Sequence, residues 1–391
     1  MYVTTRIREK PPKQMSFDDM FNLMINGEPY PEEPFAKPAY TRTWNYDTLP
    51  DHIRAGCDVD EKIRILREFN ARYRNLLEQP RSNHYSKFFI PKKSGGLREI
   101  NAPDEELSIC LRELKMIFER DFYASHHASA YAYITGRSTQ DAVRVHQFNK
   151  SKWFLKTDLS GFFPNTSPAF VMHMLSMIYP FALIIEREDG RRELERALSL
   201  AFLDGGLPMG TPFSPMLTNV IMIPFDFEMS KYLRGRVNPD ANADHKGRKF
   251  VYTRYSDDIH ISCGISFRFT EIVQVMRNLF SKFGAPYTIK REKTHYGSSG
   301  GRNWILGVML NKDNQITIGH KKRERFKSLL HNYLADRVTG NRWSLDQLQY
   351  LTGLISYYRM VNREDTDKLL RIYSEEFHTD LERAIKEDLV A

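Results

Sequence analysis

Phe250-Val251-Tyr252-Thr253-Arg254-Tyr255-Ser256-Asp257-Asp258-Ile259-His260-Ile261-Ser262-Cys263 is the stretch that decides the fold. Strong β-formers lie on both sides of Ser256-Asp257-Asp258, so residues 250–263 predict two strands around a tight turn. Two adjacent carboxylates at the tip of an apolar hairpin repel each other, and burial sharpens the cost. A divalent cation relieves both problems. Mg²⁺ prefers carboxylate oxygens and commonly takes only one or two of them together with substrate phosphates. Asp-Asp is also a good turn dipeptide, so the pair alone leaves an ordinary exposed turn open.

Moving outward, residues 152–158 predict a strand that runs through Trp153-Phe154-Leu155 and ends at Asp158. Two neighbouring strands that each deliver acid at one end can share a two-metal site of the kind that carries in-line phosphoryl transfer. Between them lies Gly206-Leu207-Pro208-Met209-Gly210-Thr211-Pro212-Phe213-Ser214-Pro215, too rich in glycine and proline for regular structure, with a helix expected to start near Pro215. Residues 87–100 predict a hairpin turning at Lys92-Lys93-Ser94-Gly95-Gly96, where glycine accepts positive φ. Helices are predicted over 58–79 and 103–120, the second with a buried stripe of Leu107, Leu111, Leu114 and Phe118. A helix is also expected over 193–204, and Ala169–Ile185 reads as one buried helix. Residues 303–318 predict a further hairpin turning at Asn311–Asn314, and helices are expected over 321–335, 344–359 and 364–387. Residues 28–40 hold four prolines and read as an extended arm, while 235–247 read as a polar loop.

Composition narrows the class. The 391 residues suggest about two or three lobes, and 41% hydrophobic with 27% charged excludes a wholly disordered chain, a collagen or a coiled coil. Lys plus Arg at 57 against Asp plus Glu at 49 leaves +8, which favours a polyanionic partner. Cys57, Cys110 and Cys263 are odd in number and far apart, so neither a zinc spacing nor a disulfide framework follows. The polar N-terminus is unlike a signal peptide, and no apolar run suits a membrane span. A reducing cytoplasm is the expected location. His126-His127 reads as structural, and Asp226 and Glu228 near an apolar run receive no role.

The three acid- and glycine-bearing pieces, in this order, resemble the reverse transcriptase family. Asp158 with Phe162-Phe163 is similar to its first palm motif, Gly206–Pro215 to its second, and Tyr255-Ser256-Asp257-Asp258 to its Tyr-x-Asp-Asp box. The resemblance implies an α+β right-hand polymerase: fingers, an antiparallel-sheet palm and a helical thumb. It implies Asp158, Asp257 and Asp258 as catalytic residues. The metal ligands would be Asp158, Leu159, Asp257 and Asp258 around two Mg²⁺ ions, with Mn²⁺ as substitute. Ile90–Arg98 is similar to the fingers hairpin, which implies Lys93 and Arg98 on the incoming triphosphate; ammonium and guanidinium groups suit phosphate oxygens. Phe163, five residues past Asp158, takes the place of the steric gate that excludes ribonucleotides. Met209 stands where most relatives carry Gln; with Gly210 it would flank the nascent pair, and methionine there only packs. Lys293-Thr294 resembles the lysine motif, which implies Lys293 at the pyrophosphate. Gly136-Arg137-Ser138 resembles a template or fingers segment, and Trp304–Gly307 the primer-grip hairpin. Arg137, Tyr255, Gly307, Lys321, Lys322 and Arg323 are thus the expected primer and template contacts.

The expected division is 1–84 N-terminal extension and helix, 85–150 fingers, 151–318 palm with some fingers elements, and 319–391 helical thumb. Residues 319–343 hold seven Lys or Arg against two acidic residues, a surface suited to phosphates. The compact layout and Phe163-Pro164-Asn165 resemble bacterial retron and defence-associated, abortive-infection-like enzymes. Asp141–His146 and Ile305-Leu306-Gly307 depart from the retron patterns Asn-Ala-x-x-His and Val-Thr-Gly. The implied activity is RNA-directed DNA synthesis in anti-phage defence, with a cognate non-coding RNA as template, a DNA primer and product, dNTPs, and a second copy of the chain as a further candidate partner. Untemplated or protein-primed DNA synthesis and a group II intron-like enzyme are the alternatives.

Overall fold

The computed structural model describes residues 2–3, 57–91, 95–234, 249–298 and 304–390. The proline-rich arm, the hairpin tip with Lys93, and the polar loop over 235–247 lie outside the described residues.

In chain order the elements are β1 (Tyr2–Val3), α1 (Val59–Arg72), α2 (Arg74–Glu78), β2 (Tyr85–Pro91), β3 (Leu97–Pro103), α3 (Glu105–Met116) and α4 (Thr139–Phe148). Then come β4 (Trp153–Ser160), α5 (Pro168–Leu175), β5 (Ile178–Tyr179), α6 (Phe181–Glu186), α7 (Glu188–Ser199), α8 (Ser214–Ile221), α9 (Ile223–Arg234), β6 (Val251–Tyr255), β7 (Asp258–Cys263) and α10 (Phe269–Phe283). The chain continues with β8 (Thr288–Ile289), β9 (His295–Ser298), β10 (Trp304–Ile305), β11 (Val308–Leu310), β12 (Ile316–Thr317), α11 (His320–Val338), α12 (Leu345–Val361), α13 (Arg363–Glu376) and α14 (Leu381–Val390).

The central sheet is antiparallel, ordered β6-β7-β4, with β4 also pairing β8 at one end and β9 along the other. Alternation divides its residues. Leu155, Leu159, Ile259 and Ile261 join the main core with the helices that cover that face. The opposite face carries Phe154, which packs with Val143, Ile305, Val308 and the C-terminal helices in a second core. Here His146 of α4 ties helix to sheet: it meets Ser262 Oγ at 2.6 Å and Thr253 Oγ1 at 2.9 Å. Burial pushes its imidazole down to about 3, so it bridges as a neutral ring.

Local signals account for most boundaries. Asp58, Asp104 and Ser138 cap α1, α3 and α4 by accepting from backbone N–H groups. Leu107, Leu111, Leu114 and Phe118 are all fully buried, as their spacing predicts. The helix expected over 103–120 passes into a π-turn at Ile117–Asp121. Four expectations are corrected. Ala169–Ile185 is not one helix; Pro180 cannot continue a helical ladder, and α5 and α6 are separated by β5. The 193–204 helix begins earlier, at Glu188, and ends at Ser199; within it Gly190 packs where a Cβ would meet the Ile184 carbonyl at 2.3 Å. The last predicted helix is two, α13 and α14, since His378 takes a positive φ and Asp380 caps a new start. The 303–318 hairpin is a three-stranded sheet, β10-β11-β12. Among the described residues no helix is long and apolar enough to cross a membrane.

Candidate active site

The acid turn forms as the sequence predicts. β6 and β7 pair from Val251↔Ser262 to Tyr255↔Asp258, leaving Ser256 and Asp257 as a two-residue loop. Ser256 takes φ +59°, a conformation disfavoured for a residue with a side chain. β4 pairs β7 so that Asp158 lies directly opposite Asp258. Leu159 N donates to the Asp257 carbonyl at 3.1 Å. Asp158, Asp257 and Asp258 therefore meet at one end of the sheet.

Their electrostatics fit shared occupancy by a cation. Burial first, and then the charges of Asp158 and Asp258, push the Asp257 carboxyl up to about 6. Asp258 is also raised, chiefly by burial and partly by Asp158, with Lys156 opposing. Asp158 is buried, and both its oxygens are taken. Lys290 Nζ donates to Oδ2 and, at 3.2 Å, to the Leu159 carbonyl; Lys293 Nζ donates to Oδ1 at 3.1 Å. Burial opposes the charge on Lys293, but its bond to Asp158 and the nearby acids leave its affinity for the proton raised. Among the described residues no three carboxylates, histidines or cysteines close into a preformed metal cage. Hard carboxylate oxygens on the partly exposed Asp257 and Asp258 nonetheless suit Mg²⁺, which completes its shell with water and substrate phosphates.

The second motif lies against the first. Leu207 N donates to the Phe163 carbonyl at 3.0 Å, and a Cβ on Gly206 would meet the Pro164 oxygen at 2.0 Å. Phe163 is half-buried against Phe162, whose ring is in the core. Met209 accepts through its carbonyl from Asn101 N at 3.0 Å, which docks the motif on the stem of the β2–β3 hairpin. Gly210 takes φ +111°, which strains any side chain, and a Cβ there would stand 3.0 Å from Ile100 and 3.2 Å from the Asn101 carbonyl. Arg98 is exposed on β3; Lys93 lies outside the described residues.

The remaining expected contacts divide. Tyr255 is half-buried beside Tyr133, with ring centroids 6.4 Å apart. Gly307 (φ +87°) turns between β10 and β11, and Lys322 Nζ donates to its carbonyl at 2.8 Å. Lys321 is exposed. Arg323 is committed to Asp365 through two bonds of 2.8 and 2.7 Å. Arg137 donates to the Ala128 and Ala130 carbonyls and lies over the Tyr131 ring. The intramolecular bonds of Arg323 and Arg137 were not visible in the spacing. Sequence reasoning also missed Lys290, three residues before Lys293, and left Asp226 without a role; Asp226 is fully buried against Arg254.

Comparison with known proteins identifies the family. Residues 90–333 match the family model described as "Reverse transcriptase (RNA-dependent DNA polymerase)". Retron Ec83 reverse transcriptase of Escherichia coli is 24% identical over 77% of this chain and 90% of its own. Retron Mx65 reverse transcriptase of Myxococcus xanthus is 27% identical over 79% of this chain and 68% of its own. Among solved structures, telomerase from Candida albicans in complex with a fragment of telomeric RNA aligns with 77% of this chain and 56% of its own, at 12% identity and TM-score 0.42. The family match spans both strands of the acid site, the glycine-rich segment between them and the start of the C-terminal helices, and the chain belongs to the reverse transcriptase family, the RNA-directed DNA polymerases.

Proposed function

We propose that the acid end of β4 and β7 is the polymerase site and that Asp158, Asp257 and Asp258, with the Leu159 carbonyl, hold two Mg²⁺ ions. The observation that carries this reading is the direct opposition of Asp158 and Asp258 across the β4–β7 ladder, with Asp257 one residue away. Bound there, the ions supply Lewis-acid stabilisation to the attacking and leaving oxygens of nucleotidyl transfer. The primer 3′-hydroxyl gives up its proton to solvent as its oxygen attacks the α-phosphorus of a dNTP, and the bond to pyrophosphate breaks. Lys293, held protonated by the acids, supplies a proton toward the leaving pyrophosphate. Arg98 and Lys93 grip the triphosphate. Phe163, next to Leu207 of the glycine-rich segment, closes the space a 2′-hydroxyl would need, and Met209 and Gly210 flank the nascent pair. Tyr255 and Gly307 support the primer end, and Lys321, Lys322, Arg323 and Arg137 line the template side, Arg137 and Arg323 by holding their segments in place.

The lobes follow as fingers over 85–150, palm over 151–318 and thumb over 319–391, with the N-terminal extension before them. RNA is the template. A cognate non-coding RNA as template and a role in bacterial anti-phage defence belong to the same proposal. Replacing Asp257 and Asp258 together by Asn should abolish dNTP incorporation on a primed RNA, a loss beyond about a thousandfold on the scale of removing charge stabilisation from a transfer site, while RNA binding by filter retention persists. Full incorporation by the double variant would refute the assignment.

A further inference from the structure

Arg254 and Asp226 form the most deeply buried ion pair among the described residues, with both side chains fully shielded from solvent. Asp226 lies on α9, and Arg254 lies on β6, two residues before the acid turn begins. The guanidinium uses opposite edges for different partners. One edge donates to the Asp226 carboxylate, Nε at 2.9 and 3.1 Å and Nη2 at 2.7 Å. The other, Nη1, donates to Asn219 Oδ1 and to the Ser256 carbonyl, both at 3.2 Å. Tyr252 OH adds a third donor to Asp226 at 2.5 Å.

The Ser256 carbonyl matters because Ser256 is the residue with φ +59° immediately before Asp257. A left-handed serine persists only where its surroundings over-determine it. The backbone of Arg254 is fixed as well: its N–H donates to the Ser129 carbonyl at 2.7 Å, and its carbonyl accepts from Tyr131 N at 2.9 Å. Asn219, which accepts from the guanidinium, donates to the Ala132 carbonyl at 2.7 Å. One rigid plane thus connects two helices, the loop over 129–132 and the turn that carries the acids.

We propose that Arg254, oriented by Asp226, is a positioning residue that holds the Ser256 carbonyl and so sets where the Asp257 and Asp258 carboxylates stand. This rests on the acid-site reading above. Charge balance alone would demand only some cation opposite Asp226. Positioning demands the planar fork, because a lysine ammonium is a point charge that cannot serve both edges. An apolar replacement of the whole cluster separates the roles differently, since buried ion pairs exchanged for packed hydrophobic groups often leave folding intact.

The test uses the full-length protein with Arg254→Lys and, separately, the combined variant Arg254→Met, Asp226→Leu, Tyr252→Phe. Each is assayed for dNTP incorporation, for RNA affinity, and for Mn²⁺ binding by titration calorimetry without nucleotide. Expected for Arg254→Lys is a folded protein with kcat down about tenfold, KM for dNTP within about twofold, RNA affinity unchanged, and Mn²⁺ dissociation constant raised about fivefold, a differential effect on the transition state rather than on substrate binding. The apolar variant, if folded, should show the same pattern. Wild-type kcat and Mn²⁺ affinity in either folded variant overturn the proposal, and so does failure of Arg254→Lys to fold, which would make the pair a requirement of the fold alone. Asp257→Asn is assayed beside them. If it stays active, the acid-site reading fails; if it is dead while the Arg254 variants match wild type, only this inference fails.

Discussion

Two buried aspartates, each ion-paired, flank the same acid turn, and their pairings are built in opposite ways. Arg254 and Asp226 are sealed, with no accessible side-chain surface on either partner, and every oxygen of the carboxylate is bonded. Lys290 and Lys293 meet Asp158 at the acid end of β4; the carboxylate is buried, but the lysine side chains keep about 25% and 50% of their surface in solvent. A sealed pair cannot exchange partners without leaving a buried charge uncompensated. A rimmed pair can, because water is at hand to receive the ammonium groups. The contrast separates a part that is locked from a part that would give way if, as proposed, a divalent cation takes the oxygens of Asp158.

The largest break in that contrast comes from removing one partner of each pair. Asp226→Ala leaves a guanidinium buried and unpaired, with an expected loss of about 3–5 kcal/mol in unfolding free energy. Lys290→Met or Lys293→Met should cost less, about 1 kcal/mol, since each leaves Asp158 its other ammonium partner and both lysines keep part of their surface in water. Urea titrations of the three variants check this. Equal losses would mean that the two pairs do the same work.

How much of this was legible beforehand follows from which interactions are local. The acid turn, β4 and the stripe of α3 depend on alternation, helical spacing and turn chemistry, all within a few residues. The opposition of Asp158 and Asp258 needs a strand register across about a hundred residues, and two strands ending in acid only suggest it. Lys290 was missed because Lys290-Arg291-Glu292-Lys293 reads as a surface run. The 3₁₀ turn at Arg291–Lys293 brings both lysines back to one carboxylate, and a three-residue period stacks positions three apart. Asp226 and Arg254 did carry a signal: each is a charge inside an apolar segment, and buried charges require a partner. One sequence names the need but not the pairing. Pro180 was visible within Ala169–Ile185, yet the apolar run outweighed it, and the structure restores the weight proline should have had.

The second prediction sharpens the exchangeable half. Lys290 Nζ bonds Oδ2 of Asp158, a ligand oxygen of the proposed metal site. Lys290→Met removes a positive charge and frees that oxygen, so Mn²⁺ should bind the nucleotide-free protein about fivefold more tightly, close to 1 kcal/mol. Calorimetry in matched buffers decides it. Unchanged or weaker affinity would show that Lys290 organises the carboxylates for the ion rather than competing with it.

The smallest effect concerns the strain between the acids themselves. Asp257 is raised to about 6 by burial and by Asp158 and Asp258, whereas in the unfolded chain it returns to about 3.9. Above pH 6 the folded protein, free of divalent ions, carries a carboxylate it would rather protonate, so that charge destabilises the fold. As pH falls through 6 toward 4 the folded state takes up the proton first and the penalty fades. Asp257→Asn removes the charge at every pH. In chelator it should therefore melt roughly 1 °C above wild type at pH 7.5, as expected for relief of about 1 kcal/mol in a chain this long. The advantage should narrow by pH 5. Scanning calorimetry at both pH values checks the sign. A variant that melts lower at pH 7.5 would mean that Lys290 and Lys293 already neutralise the acid end, and that the exchangeable pair stabilises the metal-free fold as firmly as the sealed one.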